Sequence, residues 1–210
     1  MLTAEERRKI RNKIARLTVD KGSHSYWSAG HCVMEIVSKV ANQSLTDRPH
    51  NVCPFTNSLM IHINDSVSGD VRQELKRLVP FLLESNDGNT LRRAWWLIRT
   101  FCLYASTKRK GLAAENLSQI AELIRTKNYD KALEISRVTD DQLTGAIIRV
   151  MNNYCERAGA YVGAFLTSAI LDPYADLKKQ TKFINEFICI VRRSLKIDIK
   201  HLDCSSGTTI

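Results

Sequence analysis

"TLRRAWWLIRTFCLYAS", residues 90–106, constrains this chain more than any other run. Wound at 3.6 residues per turn, Leu91, Ala94, Trp95, Trp96, Leu97, Ile98, Phe101, Cys102 and Leu103 cover most of the helix circumference. A helix that is apolar nearly all round is buried on all sides, so this segment is read as central to the core. The loop "SNDGN", residues 85–89, precedes it, and "TKRKG", residues 107–111, breaks it. Other helices must pack round it.

The flanking sequence supplies them. Thr3 and Glu6 have the capping-box spacing, and a helix is expected from Ala4 to Leu17 with a narrow stripe of Ile10, Ile14 and Leu17. A polar loop holding Gly22, Ser23, Ser25 and Ser28 follows. Val33, Ile36, Val37, Val40 and Ala41 then mark one face of a helix over about His31 to Ala41, on which Glu35 and Lys39 have the favourable i,i+4 order. After the loop "NQSLTDRPHN", residues 42–51, a short helix is expected over Phe55 to Ile63. Another is expected from Ser68 through Val79, kinked or broken at Pro80.

On the other side of Gly111, Leu117, Ile120, Ala121 and Ile124 predict one helix, and Tyr129, Ala132 and Leu133 a short one. Thr139 and Gln142 have capping-box spacing before a pattern that stays helical to about Leu171, with a bend near Asn152 and Asn153. Gly159, Ala160, Gly163, Ala164 and Ser168 form a ridge of small residues that lets another helix approach closely. Asp172 and Pro173 start a last helix, striped by Ile184, Phe187, Ile188, Val191 and Leu195. No alternating segment longer than "KIDIKHL", residues 196–202, is present, and the end of the chain from Asp198 is weakly patterned. The expected fold is all-α: a compact bundle of about nine helices. A break near Gly111 divides it into a basic region, 1–111, and a second helical region, 112–210, as two subdomains sharing a core.

The formal charge is +9 over 210 residues, and it is uneven. Residues 1–111 carry 18 Lys/Arg against 10 Asp/Glu, and residues 112–210 carry 13 against 12. Electrostatic work is therefore expected of the first region, with nucleic acid or an acidic protein as partner. Six cysteines stand at 32, 53, 102, 155, 189 and 204. The opening "MLTAEERRKIRNK" has no apolar signal core, so the protein is expected in a reducing cytoplasm with free thiols, and no run is long enough to span a membrane.

The densest set of reactive side chains lies in "GHCVMEIVSKVANQSLTDRPHNVCPF", residues 30–55. Three readings of it stay open. Cys32 near a helix start is a nucleophile candidate, with His24, His31, His50 or His62 as base and Asp47 or Asp65 to orient it. Cys32, His50 and Cys53, with His24 or His31, are a zinc candidate of poor spacing. The structural reading has Cys32 filling a small space and Glu35 pairing with Lys39 or Arg72, and it is the one favoured.

Together with "GSHSYWSA" before it, with "INDSVSGDVRQELKRLVPFLLESN" at 63–86 and with "RRAWWLIRTF" at 92–101, this segment resembles an uncharacterised family of bacteria, notably actinobacteria, and their phages. The resemblance rests on Cys32 to Glu35, Asp47 to Pro49, Cys53–Pro54, Asn64–Asp65, Arg72–Gln73 with Pro80, and Arg92 to Trp95, and it covers about residues 22–112. It implies a bacterial or phage cytoplasmic setting and brings no assigned activity.

No phosphate-binding glycine loop, nucleophile elbow, paired-histidine zinc motif or dinucleotide fingerprint occurs, so no cofactor and no metal are expected. Two functions remain. The first is a binding protein whose surface, through Arg7, Arg8, Arg11, Arg92, Arg93, Lys108, Arg109 and Lys110, engages nucleic acid or an acidic partner, with Trp95 or Trp96 as a stacking face. The alternative is a Cys/His-dependent hydrolase-like enzyme built on Cys32, His24, Glu35 and Asp47. Burial of the Cys32 thiol discriminates them.

Overall fold

The computed structural model describes residues 2–24, 30–170 and 176–196. Ser25, Ser28, Asp172, Pro173, Cys204 and the segment from Asp198 lie outside the described residues.

The protein is an all-α bundle. Among the described residues nine helices of eight residues or more carry it: α1 (Ala4–Ile14), α2 (Val33–Val40), α3 (Pro54–Ser66), α6 (Thr90–Ser106), α7 (Leu112–Arg125), α8 (Tyr129–Thr139), α9 (Asp141–Met151), α10 (Cys155–Ile170) and α11 (Leu177–Lys196). Between α3 and α6 the chain makes a tighter run of α4 (Gly69–Arg72), a 3-10 segment (Gln73–Leu78) and α5 (Val79–Leu82), with Pro80 at the permitted start of α5. No strand occurs among the described residues; Val19 and His31 form one isolated bridge.

Helix α6 is central, as its pattern requires. Ala94, Leu97, Ile98, Phe101, Cys102 and Ala105 are fully buried, and Phe101 stacks on Phe187 of α11 with ring centroids 5.9 Å apart. Trp95 and Trp96 lie half-buried at the edge of the core, and Trp95 is covered by the Tyr129 ring at 4.1 Å. That face is therefore closed to an incoming base.

Helix α10 lies along α3, and the small-residue ridge explains how. A methyl group at Gly159 would collide with the Phe55 carbonyl oxygen and the Leu59 amide, and one at Gly163 would meet the His62 ring. The two backbones approach this closely because glycine has no Cβ. One hydrophobic core runs from Ile14 to Val191 and is continuous across the turn at Gly111, whose φ of +59° suits glycine.

Helix boundaries differ from the sequence expectation at several places: α1 ends at Ile14 and not Leu17, and the helix expected from Ser68 through Val79 is three short pieces. Thr139 ends α8, and Asp140 caps α9 by accepting the Leu143 amide at 2.9 Å. A carboxylate is the stronger cap there, and it takes the place assigned to Thr139. At 152–154 the helix stops outright: Asn153 is left-handed, with φ of 59°, and α10 starts afresh at Cys155.

The tight run from Ser68 to Leu82 has a helix on each side. Helix α11 runs parallel to it: Gln180 Oε1 accepts the Ser68 amide at 2.9 Å, Arg77 donates to Asn185 Oδ1 at 2.6 Å, and Arg192 stacks on Phe81 at 4.6 Å. Helix α1 runs antiparallel on the other flank. Lys76 donates to the Leu17 carbonyl at 3.0 Å, Arg7 stacks on Phe81 at 4.5 Å, and the Leu2 amide donates to Glu84 at 2.8 Å. The first and last described helices therefore meet at Phe81.

Candidate functional site

The cysteine–histidine patch assembles round one carboxylate. Glu35 is 1% exposed. Its Oε1 accepts the His24 backbone amide at 2.7 Å, while its Oε2 accepts the Cys32 amide at 2.7 Å and His24 Nδ1 at 2.8 Å. In return the Glu35 amide donates to Cys32 Sγ at 3.4 Å. This is a capping box with cysteine where serine or threonine usually stands, and it starts α2. The expected pairing of Glu35 with Lys39 or Arg72 is corrected. The carboxylate is spent on its own helix start and on His24, and Lys39 faces His31 Nε2 at 3.4 Å.

That geometry opposes catalysis by Cys32. The thiol is 2% exposed, and burial pushes its pKa up to about 12. A nucleophilic cysteine needs the reverse, an electropositive and accessible setting that favours thiolate. His24, Cys32 and Glu35 do come together, with Asp47 close enough to raise the thiol further, but as a cap and not as a relay. His31 is buried, and desolvation with Lys39 beside it holds its pKa below the usual histidine range. Among the described residues no three His, Cys, Asp or Glu side chains converge as a metal site, and Cys53 instead precedes α3, with Sγ 3.7 Å from Thr90 Oγ1.

The other conspicuous polar residues of 64–93 are also structural. Asn64 accepts the Val33 amide through Oδ1 and donates to the Asp20 carbonyl and to Asp65. Arg72 closes the end of α3, donating to the carbonyls of Asn64 (2.6 Å) and Val67 (2.7 Å). Gln73 clamps both backbone polar groups of Val19, at 3.0 and 2.8 Å, as a neighbouring strand would. These roles were missed from the sequence. The Cys32-x-x-Glu35 spacing was a usable signal; the Gln73–Val19 clamp left none.

The basic residues separate into three groups. Arg93 is corrected: it is 2% exposed, donating to the carbonyls of Ser85 (2.7 Å) and Ser194 (3.3 Å) and to Asp87 (2.8 Å), and offers nothing to a partner. Lys108 pairs with Glu186 at 3.6 Å and lies over Tyr104, Arg109 reaches the Ser168 carbonyl at 3.5 Å, and Lys110 is exposed. Arg7, Arg8, Arg11 and Arg92 form the third group. Arg8, Arg11 and Arg92 are exposed, and Arg7 is half-buried against Phe81.

This third group is larger than the first region alone supplies. Residues 4–16 hold six cations against two carboxylates, and residues 177–196 hold six against one. Those two segments together account for the whole +9 excess, and the remainder of the chain is balanced. Arg7 and Arg192 both stack on Phe81, and Arg93 bonded to Ser194 brings the start of α6, with Arg92, to the same end of α11. Arg7 and Arg192 thus meet at Phe81, and Arg92, at the start of α6, lies near the end of α11, with Arg8 and Arg193 their exposed sequence neighbours. The carboxylates there are engaged: Glu6 caps α1 with Thr3, Glu84 accepts from Leu2, and Asp87 from Arg93. The expectation that charge belongs to residues 1–111 is revised. The small net charge of 112–210 conceals a cationic α11.

No protein-family model, curated protein or solved structure matches the chain. No helix among the described residues is long and apolar enough to cross a membrane.

Proposed function

We propose that this is a binding protein that engages a polyanion, nucleic acid first, through the arginine end built from α1, Phe81, the start of α6 and the end of α11. The observation that carries this reading is the double stack of Arg7 and Arg192 on Phe81, at 4.5 and 4.6 Å, which ties the two net-cationic helices into one surface. An aromatic ring on which guanidiniums stack holds them in place while leaving N–H groups for phosphate oxygens. The surface offers no groove-reading helix motif, so it would bind the sugar–phosphate backbone with weak sequence preference. The buried, high-pKa Cys32 supports a surface role over thiol chemistry. The bacterial or phage cytoplasmic setting implied by the family resemblance belongs to the same proposal.

An electrophoretic shift assay with duplex DNA, single-stranded DNA and RNA at about 50 and 200 mM salt tests it. Binding should weaken steeply over that range, because each neutralised phosphate releases counterions. No shift of any of the three at micromolar protein in the lower salt would end the nucleic-acid reading. An acidic protein partner on the same surface would take its place.

A further inference from the structure

His31 stands where two parts of the chain are joined. It forms the isolated bridge with Val19, and its carbonyl accepts the Asp20 amide at 2.7 Å. Gln73 holds the backbone N–H and carbonyl of Val19 in turn. Val19 is fully buried, and His31 is 5% exposed. This junction fastens the chain that follows α1 to the residue just before the Cys32 cap of α2.

The His31 ring sits badly for a proton. Its Nε2 lies 3.4 Å from Lys39 Nζ. An ammonium can only donate, so Nε2 accepts and the hydrogen of the neutral ring is on Nδ1. A second proton has one place to go, the nitrogen that faces Lys39. Two cations would then meet in a site nearly closed to water, where their repulsion is poorly screened. The charged and titratable groups facing the ring are Lys39 and Glu35 of α2, with His24 and Asp20 of the segment before it. Glu35 is taken up by the Cys32 amide, the His24 amide and the His24 ring. The Asp20 carboxylate lies against Gly30. On α3, Asp65 accepts the Gly22 amide and Asn64 Nδ2. Burial first, and Lys39 next, hold the pKa of His31 below its ordinary value; Glu35 and Asp20 pull the other way and are outweighed.

Turning Lys39 out to water removes the repulsion and leaves the burial. The ring belongs to the residue whose backbone makes the junction, so bringing it to water breaks the bond to Asp20. We propose that the junction of Val19 and Asp20 with His31 is a proton-operated latch, closed while the His31 ring accepts from Lys39 and released when that ring takes up a proton. The latch does not depend on the arginine end or on what binds there.

Amide hydrogen exchange of the whole chain, followed by NMR from about pH 7.5 to about pH 5.5 and corrected for intrinsic rates, is the test. Release takes up one proton, so protection of the Asp20 amide should fall by up to about tenfold per pH unit below the ordinary histidine value of 6.5. His31→Gln should abolish that fall. Lys39→Gln removes the charge that opposes the proton and should reduce it, and this variant decides if the His31 variant does not fold. His62→Gln should leave the Asp20 response unchanged. The Phe101 amide, in the middle of α6, should stay far better protected than Asp20 at every pH. Asp20 protection that ignores pH would overturn the proposal. So would a His31 ring that titrates with no loss of Asp20 protection, which would mean that Lys39 alone moves aside. Equal protection of Asp20 and Phe101 would also overturn it, because the junction would then open only when the bundle unfolds.

Discussion

Residues 31–93 and residues 112–170 bury their surfaces by different means. The first segment encloses His31, Glu35, Ser38, Thr56, Asn57, Asn64, Arg72, Ser85 and Arg93, whereas Ser136 is the buried polar side chain of the second. Most of the first set bond across elements: Glu35 to His24, Asn64 to Asp20, Arg72 to the carbonyls of Asn64 and Val67 at the end of α3, and Arg93 to α11. Ser136 donates to Leu133 on its own helix and accepts from Thr144 of α9 at 3.2 Å, a single polar tie where the first segment has many. The second segment is specified by shape, with Gly159 and Gly163 seating α10 on α3 and Gly145 facing Tyr161. The lesson concerns function as well as folding. In the polar segment Cys32, Glu35, Arg72 and Arg93 are already employed, so free chemistry must be sought on the surface.

The largest effect expected from this contrast is at Glu35. Glu35→Ala strands the Cys32 amide, the His24 amide and the His24 ring, and should cost about 3–5 kcal/mol in chemical denaturation. A cost below about 1 kcal/mol would mean that the polar set is ornamental. Gly159→Ala comes next. Its new methyl group meets backbone of α3, which cannot step aside as a side chain can, so overpacking should cost about 1–3 kcal/mol. Gly145→Ala, which meets only the movable Tyr161 ring, should cost less. Equal costs would argue that shape is not what specifies this region.

Acid should act through two histidines. Burial holds both His31 and His62 below the ordinary value of 6.5, so in acid the unfolded chain binds protons that the folded chain refuses. Stability should be full above that value and fall as pH drops through the depressed folded-state values. His62→Gln should flatten the decline in thermal midpoint between about pH 7 and pH 5. A midpoint that rises with acid would reverse the assignment. Cys32→Ala should be the mildest change, about 1 kcal/mol, and alkylation of Cys32 in the folded protein should be slow near neutral pH. Rapid labelling would expose a thiolate that the burial denies.

The fold was largely legible. The 3.6-residue period marked α6, α2 and α10 because their burial is decided by local spacing, and the small ridge announced a close helix approach without naming α3. Arg93 was misplaced although the signal was present. It stands four residues before Leu97 and eight before Phe101, on the buried stripe. The meeting of Arg7 and Arg192 left no signal, because an encounter between the two ends of a chain has no local pattern. A regional charge count also hid α11, whose six cations are offset by carboxylates of other helices.

The salt dependence of nucleic-acid affinity in four proteins bears most directly on the arginine end: wild type, Arg8→Gln with Arg11→Gln, Arg192→Gln with Arg193→Gln, and the combined variant. Each pair should reduce the slope of log affinity against log salt, by about one for each phosphate that the variant no longer neutralises, and the combined variant should reduce it further. A slope that responds to the α1 pair and ignores the α11 pair would contradict a surface built from both helices.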